Sequence, residues 1–234
     1  MRPFWIGPWT VCAALVVAAC AQPPAPVPAP SGSPSGHGSG VNPANIKRMG
    51  RELPAGYEVT SGVPGTATPR VIWGLKAEAA LITSNPPQCA ALADPGNGHG
   101  QAQGVSGSGS GGIVNAVVVA LPALPGPVAP DRNLIAACGQ WTMVDRQTGH
   151  IEAGVRLTDP PHIDGADTVG MVADVRTSVE SGAEIDSRTY TFIAYLGDCY
   201  AFTTVTTDPG SVLPALTPQF AADLLVKTVS TLRS

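Results

Sequence analysis

The densest polar constellation in the 234-residue chain is Asp159-Pro-Pro-His162-Ile-Asp164-Gly-Ala-Asp167. Three carboxylates and an imidazole within nine residues are donor types that hold a hard cation on a loop. With a metal they would support hydrolysis. The spacing, however, lacks the ligand period and the closing bidentate Glu of a calcium loop. Asp-Pro and Asp-Gly are also the pairs that a turn between strands needs. A plain connecting loop is the expectation, with no metal and no cofactor. Glu180, Glu184 and Asp186 flank a hairpin tip and read as solvated turn charges.

Nucleophilic chemistry finds no better footing. A serine hydrolase needs a serine at the centre of a Gly-x-Ser-x-Gly elbow and a histidine base. His99 sits in a Gly-rich loop, His150 at a hairpin end and His162 in the acidic loop, and no spacing pairs them with a nucleophile. Gly107-Ser-Gly-Ser-Gly-Gly112 has the Gly-x-Gly-x-x-Gly spacing of a dinucleotide loop. That loop works only between a strand and a helix amino terminus. Here Gln101 to Ser106 is polar and Ile113 onward is β-branched, so a flexible Gly-Ser loop entering a strand is expected. The sequence reads as non-enzymatic. Trp73 and Trp141, the tryptophans beyond the leader, either anchor the core or line an apolar cleft.

Sulfur gives the clearest chemistry. Arg2 and the amino terminus are followed by an uncharged apolar run, Phe4 to Ala19, that ends in Val17-Ala18-Ala19-Cys20. Those 16 residues fall short of the roughly 20 that span a hydrocarbon core, and they fit the core of an export signal. A branched aliphatic and two small residues ahead of a cysteine resemble the bacterial lipobox, in which the cysteine is acylated after cleavage. Residues 1–19 are thus read as a signal peptide and Cys20 as the lipidation site, with acyl chains holding the protein at the membrane. Cys12 leaves with the signal.

Residues 21–40 then hold six Pro, four Gly, four Ser and no charge. Polyproline stretches followed by Ser-Gly cannot bury enough surface to fold, so residues 20–42 are a tether. His37 within it reads as a solvated linker residue.

Three cysteines remain beyond the tether, Cys89, Cys138 and Cys199. Outside the cytosol thiols pair, so one is left over; sequence does not determine which. Cys89 with Cys138 is the preferred disulfide, because both fall at helix or loop positions where geometry adapts. Cys199 falls inside a strand pattern and reads as a buried small hydrophobe.

The folded part, residues 43–234, is expected to be one α+β domain. Charged residues are only 13% of the chain and 44% are hydrophobic, so a coiled coil and an acidic disordered chain are excluded. With 17 acidic against 13 basic residues there is no footprint for nucleic acid. Short helices are expected at 44–53 and 86–92, and strands at 56–59 and 113–120. Apolar residues alternate over 151–157 and 169–179, and two further strands, 186–196 and 199–206, follow across Gly-containing turns. Strands joined so closely pair antiparallel. Thr217-Pro218 caps a final helix whose face of Phe220, Leu224, Leu225, Thr228, Val229 and Leu232 should lie on the sheet.

Several short motifs add a resemblance. Asn42-Pro-Ala-Asn-Ile-Lys-Arg48, Leu53-Pro-Ala-Gly-Tyr-Glu-Val59, Pro86-Pro-Gln-Cys-Ala-Ala-Leu-Ala-Asp-Pro95, Cys138-Gly-Gln-Trp141, Ala194-Tyr-Leu-Gly197 and Thr207-Asp-Pro-Gly210 resemble a mycobacterial lipoprotein family of unknown function. The layout is more distantly similar to the extracytoplasmic sensor domain of PknH-type receptor kinases. The resemblance implies an envelope location on the outer face of the cell membrane, a ligand-binding role and Cys89–Cys138 as the natural pair. It implies no catalytic residue. A small apolar or lipid molecule is the expected ligand, and the membrane the expected partner through Cys20.

Overall fold

Every second residue from Ile151 to Leu157 is apolar, which commits the segment to a pleated strand with one face in a core. Apolar residues alternate again over Val169, Met171, Ala173 and Val175. The computed structural model describes residues 40–234 except 77, 123–127, 146, 148–149, 180 and 210, with the backbone alone at 79. The expected signal peptide, Cys20, the expected tether up to residue 39 and Glu180 lie outside the described residues. Among the described residues, nine strands form one sheet: β1 (Glu58–Thr60), β2 (Ile82–Asn85), β3 (Gln101–Gly109), β4 (Gly112–Ala120), β5 (Gln140–Asp145), β6 (Ile151–Thr158), β7 (Asp167–Ser178), β8 (Glu184–Tyr195) and β9 (Cys199–Thr207). Their order is β1-β3-β4-β9-β8-β7-β6-β5-β2, and every neighbouring pair is antiparallel.

Both faces of the central strands are buried. In β4, Val117 and Val119 join the cluster of Trp141, Ala153, Met171 and Ile193 on one face. Val114, Ala116 and Val118 join the opposite cluster with Leu224, Leu225 and Val229. That is why 112–120 reads as a nearly continuous apolar run rather than an alternation. The first face is covered by α1 (Pro69–Ile72), α2 (Ala90–Ala93), α3 (Arg132–Ala137) and the loops between them. The second is covered by a 3-10 helix, Pro43–Arg51, and by α4 (Pro218–Leu232). The fold is α+β, with the long carboxy-terminal helix on one side and short helices on both.

Local sequence explains the ends of these helices. The Ala44 amide donates to the Asn42 side chain at 3.1 Å ahead of Pro43, and the Phe220 amide donates to Thr217 Oγ1 at 3.3 Å ahead of α4. Within α4, Leu224, Leu225, Val229 and Leu232 turn inward together with Ala221, Ala222 and Thr228. The Asn42 amide also bonds the Leu232 carbonyl at 2.7 Å, which fixes the start of the 3-10 helix beside the carboxy-terminal end of α4.

One segment departs from the sequence reading. Residues 101–109 form β3, and the glycines expected to be a flexible loop are its last turn and the hairpin tip that leads into β4. The strand is hard to recognise because its inward positions are small. A Cβ at Gly104 would lie 2.5 Å from the Ala116 carbonyl oxygen and 3.0 Å from Val117 Cγ2, and one at Gly109 would enter the Tyr57 ring. Only glycine lets these backbones approach. Gly104→Ala should cost about 1–3 kcal/mol through overpacking, read as a lower urea midpoint at unchanged slope. An unchanged midpoint would mean that β3 and β4 part without loss.

Candidate ligand-binding cleft

Arg70 and Asp94, separated by 24 positions in sequence, make a buried ion pair on the short-helix face of the sheet. Arg70 begins in α1, where Pro69 occupies the first turn, and Asp94 closes α2 as its C-cap. Arg70 Nε donates to Asp94 Oδ2 at 3.0 Å, and Nη1 donates to the Leu75 carbonyl at 3.1 Å. The other carboxylate oxygen accepts the Gly98 amide at 3.1 Å. Arg70 is 8% exposed and Asp94 6%. Charges so far from water are tolerable only when paired and hydrogen-bonded, and these are both.

A cleft of about 270 Å³ opens beside the pair. Its walls are apolar and mostly small: Ile82 of β2, Pro87, Ala90 and Ala91 of the helical turn, and Met143 of β5. The Gln88 and Asn97 amides complete it at the rim, and both residues are exposed. The wall is tied down by Cys89 and Cys138, which form a disulfide with their Cα atoms 5.6 Å apart and both residues fully buried. That bond fastens the Pro87–Cys89 turn to the end of α3.

A larger trough of about 400 Å³ lies on the α4 side, beyond the helix, over β6, β7 and β8. Asp174 stands there between Arg156 and Arg188, and Arg176 between Glu184 and Asp186. These side chains are roughly half exposed, and matched pairs of that kind keep an uncovered sheet face solvated. The smaller cleft is the better candidate, because it combines apolar walls with an organised polar group.

The other residues singled out from sequence stand elsewhere. Trp73 and Trp141 are 4% and 2% exposed in the core, Trp73 donating from Nε1 to Thr191 Oγ1 at 3.0 Å, and neither lines the cleft. Their indoles are consumed in packing between short helices and sheet. His99, His150 and His162 are all exposed. The Asp159–Asp167 loop turns through an Ile163–Ala166 bridge and leaves Asp159, Asp164 and Asp167 exposed. Arg233 holds it through the Asp164 and Gly165 carbonyls at 2.7 and 2.9 Å, while His162 meets Asp164 in solvent. No metal-ligand cluster occurs among the described residues. Glu184 and Asp186 belong to β8 rather than to the turn. Cys199 is a free buried thiol, and burial pushes its pKa up to about 12.

Sequence reasoning passed over Arg70 and Asp94. Asp94-Pro95-Gly96 reads as a turn, which it is, and the carboxylate's second task leaves no local trace. The available signal was Arg70 itself, a charge set against Val71-Ile72-Trp73 in a chain poor in charge.

Comparison with known families decides the relationship. The model of the Domain of unknown function DUF5642 matches residues 42–233. The chain belongs to this family. The matched span contains every motif that carried the sequence resemblance. Among solved structures, the DUF5642 chain is similar to an uncharacterised Mycobacterium smegmatis protein, the ortholog of Rv0999. The TM-score is 0.55 at 17% identity, covering 83% of this chain and 98% of that one. It is also similar to the extracellular domain of PknH from Mycobacterium tuberculosis, with TM-score 0.37 at 13% identity, covering 81% and 92%. The first likeness is one of fold; nothing beyond the observation rests on the second. No curated protein matches the sequence. No helix among the described residues is long and apolar enough to cross a membrane.

Proposed function

We propose that this DUF5642 chain is an extracytoplasmic lipoprotein whose domain binds a small ligand without transforming it, as a sensor-like module. The observation that carries the reading is the cleft beside Arg70 and Asp94, where apolar walls meet one fully organised polar pair. The export-signal pattern ending at Cys20 supports the address, and the buried Cys89–Cys138 bond suits an oxidising compartment. The exposed histidines and solvent-facing carboxylates of the 159–167 loop give hydrolysis no comparable support.

Two measurements test the two halves of this reading. Native mass spectrometry of the protein purified from its own envelope should reveal a co-purifying small molecule, released on denaturation. Metabolic labelling with an alkynyl fatty acid should mark the wild-type chain and leave Cys20→Ser unmarked. A variant that keeps the label, or a wild type that never acquires it, would remove the anchor from this account. Two or more acyl chains on that cysteine are enough for stable attachment, whereas one is marginal.

A further inference from the structure

Resting on the reading of this cleft as a ligand site, we propose that its ligand is an uncharged amphiphile. It has a short alkyl or aryl body and a head, such as an amide or alcohol, that both donates and accepts hydrogen bonds. The charge inventory of the cleft sets the first property. Arg70 and Asp94 are the ionisable groups in its lining, and they neutralise each other at 3.0 Å. Arg70 also donates to the Leu75 carbonyl, and Asp94 also accepts from the Gly98 amide. A charged ligand entering here gives up water and finds no unmatched counter-charge, unless it breaks into the buried pair and strands one member. A neutral ligand gives up far less on leaving water and leaves the pair intact.

The second property follows from the rim and the walls. Gln88 and Asn97 each present a carboxamide, with two N–H donors and a carbonyl acceptor. A head group with both functions matches them, and an ionised carboxylate or ammonium matches only half. The body is set by α2. Leu92 and Ala93 fill the core at 2% and 0% exposure, while half-buried Ala90 and exposed Ala91 line the cleft with the smallest side chains that carry a Cβ. The space they leave, about 270 Å³, equals about nine water volumes, which suits a molecule of hexanamide size.

The test is a titration of the folded domain, disulfide intact, followed by amide chemical shifts. Three probes share one hexyl body: hexanamide, hexanoate and hexylammonium. Hexanamide should shift residues around Ala91, Asn97 and Met143 with a Kd at least tenfold below those of the two ions. Ala91→Trp, which fills the cleft from an exposed position, should abolish these shifts at unchanged Tm. If an ion binds at the same residues as tightly as the amide or more so, the neutral-ligand assignment is overturned and the cleft stands as a binding site. If no probe shifts the cleft residues, both the assignment and the reading beneath it fall.

Discussion

Asp94→Ala should destabilise the domain by about 3–5 kcal/mol, the usual loss when one member of a buried ion pair is removed. The mutation leaves the Arg70 guanidinium, 8% exposed, without its carboxylate and with the Leu75 carbonyl as a remaining acceptor. It also frees the Gly98 amide, while the backbone N–H that closes α2 on the Ala91 carbonyl is kept. Asp94→Asn keeps the shape and part of the hydrogen bonding, so its loss should be smaller while still removing the negative charge beside Arg70. The double variant Arg70→Met with Asp94→Leu separates the pair's net worth from the penalty of orphaning a charge. It should recover most of the stability, because well-packed apolar residues can replace a buried pair at little or no loss. Urea unfolding of all three at pH 7 reads the differences. A drop below about 1 kcal/mol for Asp94→Ala would mean that water reaches Arg70 in the native state, as at an ordinary surface pair.

The same pair marks where the sequence stopped being informative. Strands β6 and β7 were legible through alternate apolar residues, and β8 and β9, buried on both faces where they pair, through the turns at Gly182 and Gly197, both with positive φ. The last helix was legible through Thr217-Pro218 and its inward face. Strand β3 was not, since Ala102, Gly104 and Gly107 point inward and carry almost no apolar signal. Its glycines exist to let Ala116, Leu53 and Tyr57 come close, a requirement that lives entirely on other segments. Strand β2 has four residues, too few for a period to show. The cleft was the least legible feature, because it is made of what is missing. Ala90 and Ala91 look like ordinary helix formers, and nothing local says that Ile82 and Met143 stand opposite them. A site built from small side chains and a pair 24 residues apart is a property of topology.

Removing the disulfide, by Cys89→Ser, Cys138→Ser or both, is expected to cost about 4 kcal/mol in the chain-entropy treatment of a loop this long. The two cysteines are 49 positions apart, and the loop between them contains β3 and β4, so the closed segment is a large share of the sheet. Local anatomy makes the loss uneven. No residue of α3 is buried, and its Asp131 cap bonds only its own first turn through the Asn133 and Leu134 amides. Among the described residues, half-buried Leu134 and Ile135 and the sulfur bridge hold α3 against the core. In the double serine variant, α3 amides should therefore exchange with solvent at near-unfolded rates, while those of α4, held by Leu224, Leu225 and Val229, keep their protection. The Pro87–Cys89 turn, fastened at one end by the same bond, should loosen with α3 and weaken hexanamide binding even where the domain stays folded. Uniform loss of protection across α3 and α4 would instead make the bridge a global staple with no special hold on the cleft wall. Unfolding in urea with and without reductant checks the total, and native-state hydrogen exchange checks where it falls.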